Sequence, residues 1–303
     1  MKKTPKIYVV IVTYNGLKWY DKCLGFLEQS SIPIKTIVVD NASTDGTQQY
    51  IKNKFPNVKL IESNENLGFA KANNIGIRYA YDKGADYVFL LNQDAWIFPK
   101  TLELLLDSFY NNNDAGIISP MHLNGKMNSL DFNFSTNMPG EFVSDSYFKK
   151  LKNDYEVPYV NAAAWLISRN CIETVGGFDT NLYVHYGEDI DYCKRIKYFG
   201  YKLYVNTLST ICHDREFRKK FNEKYKISVF KRDERIHRLK GEYGNINIDI
   251  DIRNILKKNK IKIIKSLFFC RFKNISIIKK DIDLFKQIEH SRFKNMSGGL
   301  VWL

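Results

Sequence analysis

The feature that most constrains this chain is an alternation. Through the first 120 residues, short β-rich apolar runs trade places with helix-length amphipathic stretches. Ile7–Val12, Thr36–Val39, Val58–Ile61, Tyr87–Leu91 and Gly116–Ser119 have the length and composition of buried strands. Between them, Leu17–Gln29, Thr47–Lys54, Ala70–Lys83 and Lys100–Asn111 carry helical spacing, the last led in by Pro99. Strands joined through helices lie parallel, and helices must then cover both faces of the sheet. The expectation is an α/β fold with a mostly parallel central sheet flanked by helices. At 303 residues the chain has room for one such domain and an appendage.

Ligands of such sheets bind beyond the carboxyl ends of the strands. Three strand candidates end there in polar clusters: Thr13-Tyr14-Asn15, Asp40-Asn41-Ala42-Ser43 and Asn92-Gln93-Asp94. A carboxylate at Asp40 suits the imide proton of a uracil or thymine ring, though Asp, Asn, Ser and Gly also favour plain turns. In the stretch from Asn64 to Gly76, Gly68 permits close backbone approach beside Asn66, and Lys71 and Asn74 lie three apart on one helical face. Lys71 suits either a phosphate partner or a solvated surface position. Asp94 follows a buried strand, so it is rigidly aimed, and hard oxygen donors suit Mg2+ or Mn2+ on a diphosphate.

Order lapses over residues 121–158, an Asn-, Ser- and aromatic-rich excursion, and returns at Tyr159–Ser168, which holds Trp165. A helix over Arg169–Val175, a turn at Gly176-Gly177-Phe178-Asp179, a helix from about Asp189 to Phe199 and a strand at Lys202–Val205 follow. Glu188 and Asp191 share a helical face while Asp189 points elsewhere. Acidic residues suit a helix start on electrostatic grounds alone. However, the aromatic turn Tyr183-Val184-His185-Tyr186-Gly187 ahead of them makes a plausible sugar-facing wall, and one of these carboxylates could serve as general base. His213 is a candidate nitrogen ligand for the same metal, although a lone His is more often structural.

Taken in order, Val9–Gly16, the Asp40 block, Asn66–Gly76, Leu90–Asp94, Gly176–Asp179 and Glu188-Asp189-Ile190-Asp191 with Arg195 resemble family-2 inverting glycosyltransferases. The bacterial branch of rhamnosyl- and galactofuranosyl-transferases of surface polysaccharide is the nearest likeness, and it covers about residues 5–213. The resemblance implies a GT-A type nucleotide-diphospho-sugar transferase fold over residues 1–213, with the donor site in 1–120 and the acceptor side in 121–213. It places Thr13, Tyr14, Asn15, Asp40, Asn66, Gly68, Lys71, Asn74, Asn92 and Gln93 around a UDP- or dTDP-sugar, and Asp94 with His213 on the cation. Asp189 becomes the general base, while Trp165, Glu188, Asp191 and Arg195 shape the acceptor side or brace the base. One departure is plain: Asn92 stands where the family's metal motif has its first acid, so the site lacks one charge.

Competing readings are weaker. A sugar nucleotidyltransferase would carry a Gly-rich basic loop after its first strand, where this chain has Thr13-Tyr14-Asn15-Gly16-Leu17-Lys18. No Gly-x-Gly-x-x-Gly follows that strand either, which disfavours a dinucleotide-binding dehydrogenase. A non-catalytic nucleotide-sugar-binding protein would have little use for Asp94, Asp189 and His213 together.

The charge is uneven. Through residue 213, 22 Lys and Arg balance 22 Asp and Glu, so residues 214–303 carry the entire net charge of +13. That basic helical region suits either an anionic partner or a solvated, Lys-rich helical face, and Ile261–Phe269 reads as a cationic amphipathic helix on a membrane surface. The expected contact spans residues 255–280 and would bring the enzyme to a lipid-linked saccharide acceptor on the cytoplasmic leaflet. Packing on the body or in a homodimer is the competing account, and nucleic acid is disfavoured. Five scattered cysteines without a CxxC pair fit a reducing, cytoplasmic setting. The apolar start is too short for a signal peptide, and no run is long enough to span a bilayer.

Overall fold

The structure is a computed structural model that describes residues 4–183, 186–215, 234–269 and 271–303. The alternation read from sequence becomes β1 (Ile7–Thr13), α1 (Tyr20–Leu27), β2 (Ile34–Asp40), α2 (Thr47–Lys54), β3 (Lys59–Glu62), α3 (Gly68–Asp82) and β4 (Tyr87–Asn92). A short β5 (Ala95–Ile97), α4 (Thr101–Asn111) and a long β6 (Ala115–Asn124) complete the first half. The 121–158 excursion contains α5 (Phe132–Ser135), α6 (Gly140–Tyr147) and β7 (Asp154–Glu156). Then come β8 (Ala164–Ser168), α7 (Arg169–Val175), α8 (Glu188–Tyr198) and β9 (Lys202–His213). The last elements are α9 over 234–243, α10 (Ile252–Phe268) and α11 (Phe272–Ser297).

One nine-stranded sheet runs β3-β2-β1-β4-β8-β6-β9-β5, with β7 beside β9. Its first four strands are parallel, as is the β6–β9 pair. The other pairings, β4–β8, β6–β8, β5–β9 and β7–β9, are antiparallel. Parallel order therefore holds where βαβ crossovers link the strands, and it breaks at β8, which enters from the excursion rather than through a crossover helix.

Period-2 alternation assigns the core. Tyr8 and Val10 pack with Ile77 and Ala80 of α3 and with Trp165, while Ile7, Val9 and Ile11 pack with Leu24 of α1 and Leu102 and Leu105 of α4. A third cluster joins Leu182 and Tyr183 to Ile252, Leu284, Phe285 and Ile288, so α10 and α11 are seated on the body. No helix among the described residues is long and apolar enough to cross a membrane.

Candidate active site

Register places the polar strand ends side by side. Thr13 is opposite Asp40, and Val12 is opposite Asn92. Gln93 accepts hydrogen bonds from the Thr13 hydroxyl (2.6 Å) and the Tyr14 amide (3.0 Å), tying the β1 loop to the end of β4. A side chain at Gly16 would have its Cβ 2.4 Å from Gln93 Oε1, so this tie requires glycine there. Asn15, at φ 52°, receives the Thr44 amide and donates its own amide to Ser43, which joins the β1 and β2 loops.

Asp40 is fully buried. Its Oδ2 accepts from the Ser43 amide (3.0 Å) and Gln48 Nε2 (2.5 Å), while its Oδ1 has no partner. A buried carboxylate oxygen without a donor is costly, and an imide N–H is the kind of group that would satisfy it. Asn66 and Gly68 form the turn into α3, with the Gly68 amide donating to Asn66 Oδ1 at 3.0 Å. Asn41 accepts from the Leu67 amide and donates to the Gly68 carbonyl, fastening that turn to the end of β2.

A cleft of about 460 Å³ opens beyond the ends of β4 and β8. Asn92, Tyr159, Asn161, Glu188, Asp189 and Arg215 line it, along with Phe69 and Tyr186. The β4 end and the start of α8, nearly a hundred residues apart in sequence, thus face one space. Asp189 Oδ2 accepts the Tyr159 hydroxyl at 2.6 Å. Burial, and then the charge of Asp189, push the Tyr159 phenol above its ordinary range, so it stays a donor. Glu188 has an unpartnered buried Oε2, and burial raises its carboxyl to about 7, with help from neighbouring Asp189.

Behind Asn92, Asp94 Oδ1 lies 3.4 Å from His213 Nε2, and both side chains are buried. The β5–β9 ladder fixes this pair by setting Ala95 opposite His213. Asn92 Nδ2 is 3.5 Å from the same His213 nitrogen. On the other side of the ring, Nδ1 accepts from Arg215 Nε (3.3 Å) and lies 3.7 Å from Asp131 Oδ2, which itself pairs with Arg215 at 2.9 Å. No group of three or more His, Cys, Asp and Glu side chains poised to hold a metal occurs among the described residues. The donor set nevertheless fits a cation that arrives with a diphosphate, because Mg2+ sites commonly draw only one or two protein ligands and take the rest from phosphate and water.

Several expected site residues have other roles. Trp165 is fully buried in the core, stacked on Phe178 at 6.0 Å and next to Tyr192, so it forms no acceptor wall. β8 is an interior strand, and Trp165 faces the α7–α8 layer rather than the cleft. Asn74 lines a different groove from the cleft, and its side chain is committed to backbone groups. Its amide accepts from the Phe178 amide (2.8 Å) and donates to the carbonyls of Phe178 (2.9 Å) and Trp302 (3.0 Å). Lys71, one turn before Asn74, borders a separate groove with Trp302 and Leu303, because that face of α3 turns toward the last residues of the chain and away from the cleft.

Arg195 is also buried, pairing with Asp191 at 2.8 Å and donating to the carbonyls of Val175 and Gly177. Burial outweighs the Arg195 charge and raises the Asp191 carboxyl to about 6. The pair braces α8 against the glycine turn rather than touching the cleft. Val184 and His185 of the expected aromatic wall lie outside the described residues.

Tyr159, Asn161, Asp131 and Arg215 escaped the sequence reading. Asp131 had a usable signal, since it stands just ahead of Phe132-Asn133-Phe134 and caps α5 through the Phe134 amide. Arg215 lies two residues past His213, and nothing in its surroundings marked it.

Residues 8–176 match the family Glycosyl transferase family 2. The chain belongs to that family and is a glycosyltransferase. It is similar to the N-acetylglucosaminyl-diphospho-decaprenol L-rhamnosyltransferase of Mycobacterium tuberculosis, at 27% identity over 239 residues, 69% of this chain and 76% of that protein. It is also similar to the dTDP-rhamnosyl transferase RfbF of Shigella flexneri, at 28% over 206 residues and 66% of each. Among solved structures, the mannosyltransferase PcManGT from Pyrobaculum calidifontis in complex with GDP-Man and Mn2+ covers 97% of this chain and 88% of its own, with TM-score 0.57 and 17% identity. GalNAc-T7 with UDP, GalNAc and Mn2+ covers 71% of this chain and 44% of its own, with TM-score 0.56. At such identities the likeness speaks for the fold, which is the α/β GT-A type.

Proposed function

We propose that this glycosyltransferase moves a sugar from a UDP- or dTDP-sugar to a hydroxyl of a glycan or lipid-linked saccharide, with inversion, in bacterial surface-polysaccharide synthesis. Residues 1–213 form the catalytic unit, to which Arg215 adds one cleft-lining side chain, and the basic helical region of residues 214–303 holds it at the cytoplasmic face of the membrane. The observation that carries this reading is the shared cleft of Asn92 and Asp189. The two similar rhamnosyltransferases support this reading, one named for a dTDP-sugar donor and the other for a diphospho-decaprenol acceptor.

The buried, unpartnered Oδ1 of Asp40 is the acceptor for the pyrimidine imide, and the joined loops at Tyr14, Asn15 and Gln93 form the floor beneath the nucleotide. Asp189, held by Tyr159, takes the proton of the acceptor hydroxyl as that oxygen attacks the anomeric carbon and the nucleoside diphosphate departs. Arg215 faces the same cleft and can meet the departing phosphates. Asp94 and His213 would hold a divalent cation, Mg2+ or Mn2+, which when bound neutralises charge on the diphosphate.

The test is a thermal-shift screen of nucleotide sugars with and without Mn2+, followed by transfer assays on Asp189→Asn. A matching donor should raise the unfolding temperature through mass action. Asp189→Asn should still bind it and lose turnover about 10²- to 10⁴-fold. Near-normal turnover in that variant, or a product with retained configuration, refutes the mechanism.

A further inference from the structure

Outside the cleft, the most unusual surface is the far end of the α10–α11 hairpin. Residues 255–280 hold nine Lys and Arg and not one Asp or Glu. A polar, Lys-rich helix pair needs no large exposed side chains, yet Ile261, Ile264, Leu267, Phe268, Phe269 and Phe272 are all exposed here, Phe268 at 83%. The turn between the helices, closed by the Arg271 amide on the Ser266 carbonyl, gathers the three phenylalanines at the tip. The opposite end is anchored, with Ile252, Leu284, Phe285 and Ile288 packed on Leu182 and Tyr183. Tyr183 also lies against Gly187, the residue from which α8 and its Glu188 and Asp189 start, so the anchored end of the hairpin packs beside the beginning of α8.

We propose that this tip is a bilayer-insertion arm: Phe268, Phe269 and Phe272 enter the headgroup region of an anionic phospholipid surface while the surrounding Lys and Arg side chains meet its phosphates. The combination of charges and apolar groups selects this occupant. A second copy of the chain would set like charges against each other, with no acid in the segment to offset them. Nucleic acid would use the charge but has no need for exposed Ile and Leu. A membrane uses both, since basic residues draw the helix to anionic lipid and buried apolar area keeps it there. The arm deepens the functional reading by holding the enzyme at a membrane that carries the acceptor, while its own evidence is independent of the sugar chemistry.

The test is co-sedimentation of the full chain with vesicles of phosphatidylcholine alone or with about 30% phosphatidylglycerol. Binding to the anionic vesicles should be at least about tenfold tighter and should weaken as salt rises. The triple variant Phe268→Ser, Phe269→Ser, Phe272→Ser should lose about tenfold in affinity for those vesicles. Its unfolding temperature and its transfer to a soluble acceptor should match the parent, because all three side chains are exposed. Equal binding to neutral and anionic vesicles, undiminished binding by the triple variant, or a dimer that the triple variant dissolves without any vesicle binding would each overturn the arm. Vesicle binding without sugar transfer would count against the enzyme reading and leave the arm standing.

Discussion

The phenol of Tyr159 donates a hydrogen bond to Oδ2 of Asp189 across 2.6 Å, linking the loop before β8 to the first turn of α8. The Ile190 amide holds the other oxygen at 2.8 Å, so the carboxylate is gripped on both sides. Tyr159→Phe removes one grip and no charge. The expected result is a fall in kcat of about tenfold, with donor KM unchanged, since a loosened base costs more in the transition state than in substrate binding. Initial-rate kinetics at fixed acceptor decides it, and a change confined to donor KM would move Tyr159 to the donor side.

Asp40 offers a sharper test because its two oxygens differ. Oδ2 serves the Ser43 amide and Gln48, while Oδ1 has no partner. In Asp40→Asn the carbonyl can keep the two structural bonds, which leaves an NH2 where the carboxylate oxygen was. Two donors would then face each other across the pyrimidine imide. Calorimetry should show UDP or dTDP binding weakened about 10- to 100-fold, with little change in unfolding temperature.

Much of the fold was legible because alternation is a local property. α2 and α7 have the bounds expected from sequence, and β1 to β4 fall within a residue or two of theirs. The misses share a cause. β5, β7 and the second half of β9 are strands only because the distant β6 and β9 offer edges to pair with, and nothing in Ala95–Ile97 or Asp154–Glu156 announces that partner. The site divides in the same way. Asp40, Asn92 and Asp94 sit at strand ends, where sequence pattern and chemistry coincide. Asn74 lies inside a matching motif and Trp165 in an apolar run beside the cleft, yet their side chains are committed to Phe178 and, for Asn74, the carboxyl-terminal turn, contacts spanning up to 228 residues.

Glu188 gives the chain a pH signature. Burial raises its carboxyl from the ordinary value of 4.5 to about 7 in the folded protein, with no offsetting partner on Oε2. Between those values the folded state binds the proton more tightly than the unfolded chain, so this contribution is full below about pH 4.5 and is lost as pH rises through 7. The loss is bounded at about 3 kcal/mol. Glu188→Gln mimics the protonated form. It should match the parent near pH 5 and unfold a few degrees higher at pH 8, as read by thermal denaturation across that range. Parallel pH profiles for the two proteins would show that Glu188 carries no such penalty.

Asn74 ties three backbone segments together: α3, the turn at Phe178 and the carbonyl of Trp302. The glycine turn is shaped around it, since a Cβ on Gly177 would lie 2.6 Å from Asn74 Oδ1. In Asn74→Ala, the Phe178 amide and carbonyl lose their side-chain partner in a buried setting, and each such loss costs about 1–3 kcal/mol. Denaturant unfolding should therefore show a loss of about 2–4 kcal/mol. Nucleotide affinity, measured at a temperature where the variant is folded, should match the parent, because Asn74 faces the carboxyl-terminal turn and not the cleft. Weakened donor binding with unchanged stability would return Asn74 to the donor site.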